Sequence, residues 1–226
     1  MKIIAAYHKA GLIAYASHLD MQRTLQRTFR RAQIPLSYSQ GFNPHPLLSF
    51  ASALATGHTS DCEWFEVGLE ERVEAGDFEA RVNACAPAGL WVSNAFYSEA
   101  PIGTLSRNVR QARYFAYVCF EGGVELKRVG EAVEKIMAEP EILILKKTKG
   151  GIKPVDIRSK IFRVDVEKIG ETVVRFDILG ELNAAGGLRV EPFLLKALDG
   201  FEPEPLITVH RAAMYFEGGN SLPYLP

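Results

Sequence analysis

The chain has few cysteines, and their arrangement suggests no site. Cys62, Cys85 and Cys119 are its three cysteines in 226 residues, and no CxxC or CxxxCxxC spacing occurs. That removes the sequence signal for a zinc knuckle or an iron–sulfur cluster. An odd number of scattered thiols fits a reducing compartment, with buried, inert side chains as the default. No run of 18 apolar residues is present, so no membrane-spanning helix is expected. Met1-Lys2 leads straight into an alternating apolar stretch without the features of a secretory signal, and a cytoplasmic location is expected. Net charge is only −1, so no bulk field draws the chain to nucleic acid or membrane. No GxSxG elbow, P-loop or GxGxxG occurs. The five histidines, His8, His18, His45, His58 and His210, show no HxH or HxxxH spacing. Gly186-Gly187-Leu188-Arg189 reads as a turn into a helix, with anion binding at that helix start as the alternative.

What is present is an ordinary globular composition, 47% hydrophobic and 23% charged. The length allows one large domain or two of about 110 residues each. Residues 2–8 and 12–16 alternate and break at Ala10-Gly11, as a strand or tight hairpin does. Ser17 caps a helix in which Met21, Leu25, Phe29 and Ala32 share a buried face, and Ile34-Pro35 ends it. Residues 34–60 read as strand, loop and strand. Residues 63–70 follow as a strand, 76–86 as a short helix and 89–97 as a strand. Residues 113–121, 141–146 and 206–216 read as strands, 155–168 with 171–182 as a hairpin, and 125–138 and 191–199 as helices. The expected class is α+β, as two tandem ferredoxin-like (β-α-β-β-α-β) halves with antiparallel sheets. The boundaries are 1–98 and 113–226, with 99–112 as a linker; a single larger α+β domain is the rival.

Three stretches stand out. Arg23, Arg27 and Arg30 recur at i, i+4 and i+7 on one face of the first helix, and Arg31 adds a fourth charge. Guanidinium groups suit bidentate phosphate contacts, although a solvated helix face would look the same. The following loop offers planar rings in Tyr38, Phe42 and His45. Ser39, Gln40 and Asn43 add hydrogen-bonding groups, Gly41 permits unusual dihedrals, and Pro44 and Pro46 stiffen the segment. Rings beside arginines suit single-stranded RNA; a structural turn with Phe42 plugging the core is the alternative. The third stretch is 146–163, with seven bases against one acid, including Lys147, Lys149, Lys153 and Arg158. It reads as a basic hairpin tip for phosphates or a solubilising loop. Residues 61–81 hold eight acids and two bases, so the chain is polarised along its length.

Ser17-His18-Leu19-Asp20, Arg30-Arg31-Ala32 and the run Tyr38-Ser39-Gln40-Gly41-Phe42-Asn43-Pro44-His45-Pro46 resemble a bacterial family, the radical-SAM-linked domain of unknown function. Weaker similarity continues through Ser49-Phe50-Ala51, Lys153 to Arg158, Gly187-Leu188-Arg189 and His210-Arg211. The resemblance implies an accessory chain without its own cofactor, working with a separate B12-binding radical-SAM protein. Family members often lie near genes for RNA processing and ribosomal proteins. Tandem ferredoxin-like folds also occur in CRISPR RNA endonucleases and pseudouridine synthases, which is analogy at the level of fold. The leading expectation is therefore an RNA-binding or substrate-presenting partner of a radical-SAM enzyme. The alternatives are a module that docks on that enzyme, and an RNA-processing enzyme using His18 or His45 as acid or base.

Overall fold

The computed structural model describes residues 1–148, 151–183 and 186–217. The chain opens with β1 (Lys2–Lys9), a 3-10 turn (Gly11–Tyr15) and α1 (His18–Arg31), then β2 (Leu48–Phe50), β3 (Thr59–Gly68), α2 (Ala75–Cys85) and β4 (Leu90–Ser98). A short α3 (Thr104–Asn108) leads into β5 (Val109–Cys119), α4 (Leu126–Ala138), β6 (Leu143–Thr148) and β7 (Gly151–Asp156). After a second 3-10 turn (Arg158–Lys160) come β8 (Ile161–Lys168), β9 (Val173–Asn183), β10 (Gly186–Gly187), α5 (Val190–Ala197) and β11 (Leu206–Phe216). Nine strands form one sheet along the path β10-β9-β5-β11-β3-β1-β4, with β2 added on β3 and β8 on β9. β6 and β7 form a separate ribbon. The chain divides into two compact units, the first mainly Met1–Arg110, the second Gln111–Leu182 with Gly187–Ala212.

In the first unit the strands stand in the order β2-β3-β1-β4, each pair antiparallel. α1 begins because Ser17 accepts the Asp20 N–H at 3.2 Å, a side-chain cap whose loss typically costs about 1 kcal/mol. It ends where Gln33 turns left-handed at φ 54°. Arg81 then closes the end, its guanidinium donating to the Ala32 carbonyl at 2.8 and 3.0 Å. Met21, Leu25 and Phe29 of α1 meet Ile3, Ala5 and Tyr7 of β1, Phe65 and Val67 of β3, and Phe78 and Val82 of α2 in one core. The Phe29 ring lies 5.5 Å from Phe65 and 5.8 Å from Phe78. β4 ends the sheet path, and α2 protects it. Asn83 bonds both the N–H and the C=O of Val92, and Glu79 accepts the Ala95 N–H at 2.6 Å. These side chains occupy backbone groups that an open edge would offer to another chain.

The second unit follows the same β-α-β-β-α-β order through β5, α4, β8, β9, α5 and β11, with the β6–β7 ribbon inserted after α4. Ala112, Tyr114, Ala116 and Val118 of β5 alternate inward, opposite Gly180, Ile178, Phe176 and Val174 of β9. The element order read from the sequence is therefore present in each unit, but two separate sheets are not. A nine-stranded sheet is formed instead. Where residues 12–16 read as a strand, the chain forms the 3-10 turn Gly11–Tyr15. The strand read at 141–146 is present as β6, and its partner β7 takes residues 151–156, of which only the last two read as strand, at the start of 155–168.

The expected linker, 99–112, holds α3 and the start of β5, with Leu105, Val109 and Ala112 buried. Lys2 and Glu66 fasten it. Their side chains are 2% and 0% exposed and form an ion pair. Lys2 also donates to the Pro101 carbonyl at 2.8 Å, and the Gly103 N–H donates to Glu66. Gly103 sits at φ 88°, in the left-handed region that favours glycine. Removing one member of a buried pair strands the other charge, so Lys2→Met is expected to destabilise the chain by about 3–5 kcal/mol. Lys2→Met with Glu66→Gln should recover a large part, since the glutamine is neutral and still accepts from Gly103. Urea midpoints measure both; equal stability of Lys2→Met and wild type would contradict this role.

Candidate nucleic-acid interface

α1 buries one face and leaves Arg23, Arg27 and Arg30 on the other, all exposed. Arg23 contacts Asp20 at 3.3 Å, with both side chains more than half in water. The Ser17 hydroxyl, and secondarily Arg23, hold the Asp20 carboxyl below the usual carboxylate range. Among the described residues no carboxylate pairs with Arg27 or Arg30. Arg31 does something else: it donates to the Cys85 carbonyl at 2.6 Å and so ties α1 to the end of α2. Its charge sits at a helix C-terminus, where a cation is favoured.

The loop after α1 is a braced hairpin. Ser37 N–H donates to Gly68 C=O, Gly68 N–H to Leu47 C=O, and Leu47 N–H to Ser37 C=O, all within 2.9 Å. A bridge joins Tyr38 to Pro46. Ser39 and His45 close the neck. Ser39 N–H reaches the His45 carbonyl at 2.9 Å, the Ser39 hydroxyl lies 2.9 Å from His45 Nδ1, and it accepts the His45 N–H at 3.1 Å. Gln40, Gly41 and Asn43 are exposed, and Gly41 sits at φ 128°. Phe42 is 104% exposed and Tyr38 37%. The Phe42 ring therefore stands in water and does not plug the core.

In the ribbon, Lys146 stands directly opposite Lys153, and Leu145 opposite Pro154. Strand alternation puts the two lysines on one face and Leu143, Leu145, Ile152 and Pro154 on the other. Leu145 and Ile152 are 70% and 68% exposed. Like charges directly opposite each other are unfavourable, and among the described residues neither lysine has a carboxylate partner. Lys149 and the Lys147 side chain lie outside the described residues.

Arg158 is engaged within the protein. Its guanidinium donates to the Met137 carbonyl at 3.1 Å, closing the end of α4. Its own N–H and that of Ile142 donate to Asp156 at 2.9 and 2.8 Å, and these bonds hold the Asp156 carboxyl below its ordinary range. Lys160 pairs with Glu181 at 3.2 Å and Arg163 with Asp165 at 2.8 Å. The excess of positive charge counted along 146–163 is thus partly cancelled in space. The acidic stretch is thinned likewise, because Glu63 and Glu66 are buried.

A buried polar cluster beneath the start of α1 escaped the sequence reading. Lys9 is 1% exposed and donates to the Ala16 carbonyl at 3.0 Å. Glu63 is fully buried on the neighbouring strand. The His18 ring sits edge-on to Phe50 at 5.0 Å. Burial lowers its pKa, Glu63 opposes that and Lys9 adds to it. The available signal was parity: Lys9 follows Ile3, Ala5 and Tyr7 in the inward register of β1. Among the described residues no group of three His, Cys, Asp or Glu could hold a metal.

One cleft of about 650 Å³ is lined by Phe120, Gly122, Gly123, Arg128, Lys168 and Phe201. Another of about 630 Å³ lies between His8, Asn83, Pro87 and Trp91. Neither includes the α1 arginines or the Phe42 loop. No helix among the described residues is long and apolar enough to cross a membrane.

This α+β chain, with its nine-stranded sheet and five helices, can be placed among known proteins. It belongs to the DUF2344 family, described as an uncharacterized protein conserved in bacteria, whose model matches residues 2–191. Comparison with curated proteins gave no match. Its fold is similar to a chain in the crystal structure of a Cbf5-Nop10-Gar1 complex, with a TM-score of 0.56 at 8% identity. That likeness covers 94% of this chain and 48% of the other, so this chain spans about half the length of its structural relative. A chain from an H/ACA RNP bound to a substrate RNA containing 2′-deoxyuridine follows, with a TM-score of 0.49, 11% identity, and coverage of 93% and 46%.

The fold favours neutral His18, whose pKa is lowered from the ordinary 6.5. The unfolded chain therefore binds the proton more tightly. The stability that His18 contributes is full above about pH 6.5 and is lost as pH falls through its folded value. Urea midpoints across pH 7.5 to 5 should decline less steeply in His18→Asn than in wild type; parallel declines would contradict the assignment.

Proposed function

We propose that this chain is an RNA-binding accessory protein that presents RNA to a separate radical-SAM enzyme and carries no cofactor or reaction of its own. The observation that carries the reading is Phe42, a large ring held wholly in water at the tip of a braced loop. Leaving such a side chain exposed forgoes roughly 1.5–3 kcal/mol of burial, and a rigid neck keeps it from folding away. A nucleobase would cover it by stacking, with Tyr38 as a second ring and Gln40, Asn43 and His45 supplying polar contacts. Arg27 and Arg30, which have no carboxylate partner among the described residues, would contact phosphates. Lys146 and Lys153, in the second unit, are candidates for a separate backbone contact. The likeness to the Cbf5-Nop10-Gar1 chain supports the fold and leaves the activity to these side chains. The family resemblance supplies the radical-SAM partner.

A second reading is a docking module for that enzyme. The exposed Leu145 and Ile152 of the ribbon favour it, because such side chains match protein better than phosphate. Leu145→Asp with Ile152→Asp would then abolish co-purification with the radical-SAM protein and leave RNA affinity unchanged.

RNA affinity measured by anisotropy at 50 and 200 mM salt tests the primary reading. Each lost phosphate contact reduces the slope of log K against log salt by about 0.7–0.9. Arg27→Ala with Arg30→Ala is therefore expected to reduce it by roughly 1.5. Phe42→Ala should weaken single-strand binding by about 1–3 kcal/mol without changing the slope. Wild-type binding that ignores both salt and these substitutions would refute the proposal.

A further inference from the structure

Three large apolar side chains stand in water at the entrance to α1. Leu12 is 90% exposed, Tyr15 70% and Leu19 60%. A single exposed leucine is unremarkable, but three such residues within eight positions make a patch. Leu12 and Tyr15 are three apart on the 3-10 turn, and side chains at that spacing eclipse. Leu19 is followed by Arg23, Arg27 and Arg30 at four, eight and eleven positions, all within an arc of about 80° on the helix and spanning roughly 16 Å. In chain order, the exposed side chains of this segment are thus an apolar head followed by a cationic ladder.

The underside of the head is fastened. The buried Lys9 ammonium holds the Ala16 carbonyl at 3.0 Å, Gly57 N–H holds the Ala14 carbonyl at 2.9 Å, and Ala16 N–H closes the turn on Ile13 at 3.0 Å. Ala14 is buried and Ile13 packs against the core. The Tyr15 backbone is therefore preorganised, and a platform of this kind loses little freedom when a ligand covers it.

We infer that Tyr15, flanked by Leu12 and Leu19, is a stacking platform for an unpaired nucleobase, and that the strand bearing it runs along the arginines of α1. The inference rests on the RNA-binding reading and narrows it to single-stranded RNA, because base pairing and stacking in a duplex hide the faces a tyrosine would need. Charge selects the occupant: a ladder whose Arg27 and Arg30 have no carboxylate partner among the described residues complements a polyanion. The platform is separate in sequence from the Phe42 loop, so two base contacts flank the first helix.

The test uses the full chain and a 12-nucleotide mixed-sequence RNA with one 2-aminopurine, offered single-stranded and as a blunt duplex at fixed salt. Wild type should prefer the single strand and quench the fluorophore. Tyr15→Ala should lose roughly 10- to 100-fold in single-strand affinity, lose the quenching, and leave duplex binding and melting temperature unchanged. Tyr15→Phe, which keeps the ring, should retain both signals. Undiminished affinity and quenching in Tyr15→Ala, with binding still sensitive to Arg27→Ala and Arg30→Ala, would overturn the platform and leave the RNA reading standing. Wild type that binds neither RNA would overturn both. Loss of a protein partner on Tyr15→Ala, without any effect on RNA, would reassign the patch to a protein interface.

Discussion

Two lysines at opposite ends of β1, both almost fully buried, fix the segments that the rest of the molecule depends on. A buried ammonium is tolerated only where its charge and its donors are satisfied. Lys2 meets that demand with Glu66 and the Pro101 carbonyl, and so anchors the stretch leading to β5. Lys9 lies in the opposite register and meets it in part with the Ala16 carbonyl, so the turn entering α1 is held against the sheet. One strand thereby fastens two connections whose own residues give no strong reason for order.

The functional surface follows from what these anchors hold outward. α1 turns its apolar face to the core and its arginines to solvent, and the capped start fixes where that face begins. The 38–46 hairpin grows from the edge of β3 through backbone bonds, so its ring is presented by scaffold rather than by a loose loop. Other arginines of similar appearance in the sequence are engaged in closing helices: Arg31 and Arg81 join α1 to α2, and Arg158 ends α4. Distinguishing a cation that closes a helix from one that faces water separates scaffold from interface in this chain.

Much of this is legible in the sequence. The spacing of Met21, Leu25 and Phe29 located the buried face of α1 and so its arginine face. Alternation gave most strands and the β-α-β-β-α-β order of each unit. Partners distant in sequence were not legible. Nothing local says that Lys2 will meet Glu66, that Arg158 will reach the Met137 carbonyl, or that Lys160 will pair with Glu181. Charge counted along the chain therefore overstated both the basic and the acidic stretches. The segment 99–112 reads as a linker because it has few large apolar residues; two of these, Leu105 and Val109, are buried, and the distant Lys2–Glu66 pair adds anchors that nothing local announces. The first strand of the ribbon and a basic hairpin tip were legible, but most of the return strand was not, because Lys153 and Pro154 within it are weak strand signals.

Photocrosslinking of a single-stranded RNA to the full chain, with the modified peptides identified by mass spectrometry, addresses the central claim most directly. The account requires adducts on the outer face of residues 12–31 and at the tip of the 38–46 hairpin. Crosslinks confined to the second unit, or none above background at concentrations that saturate binding, would contradict it.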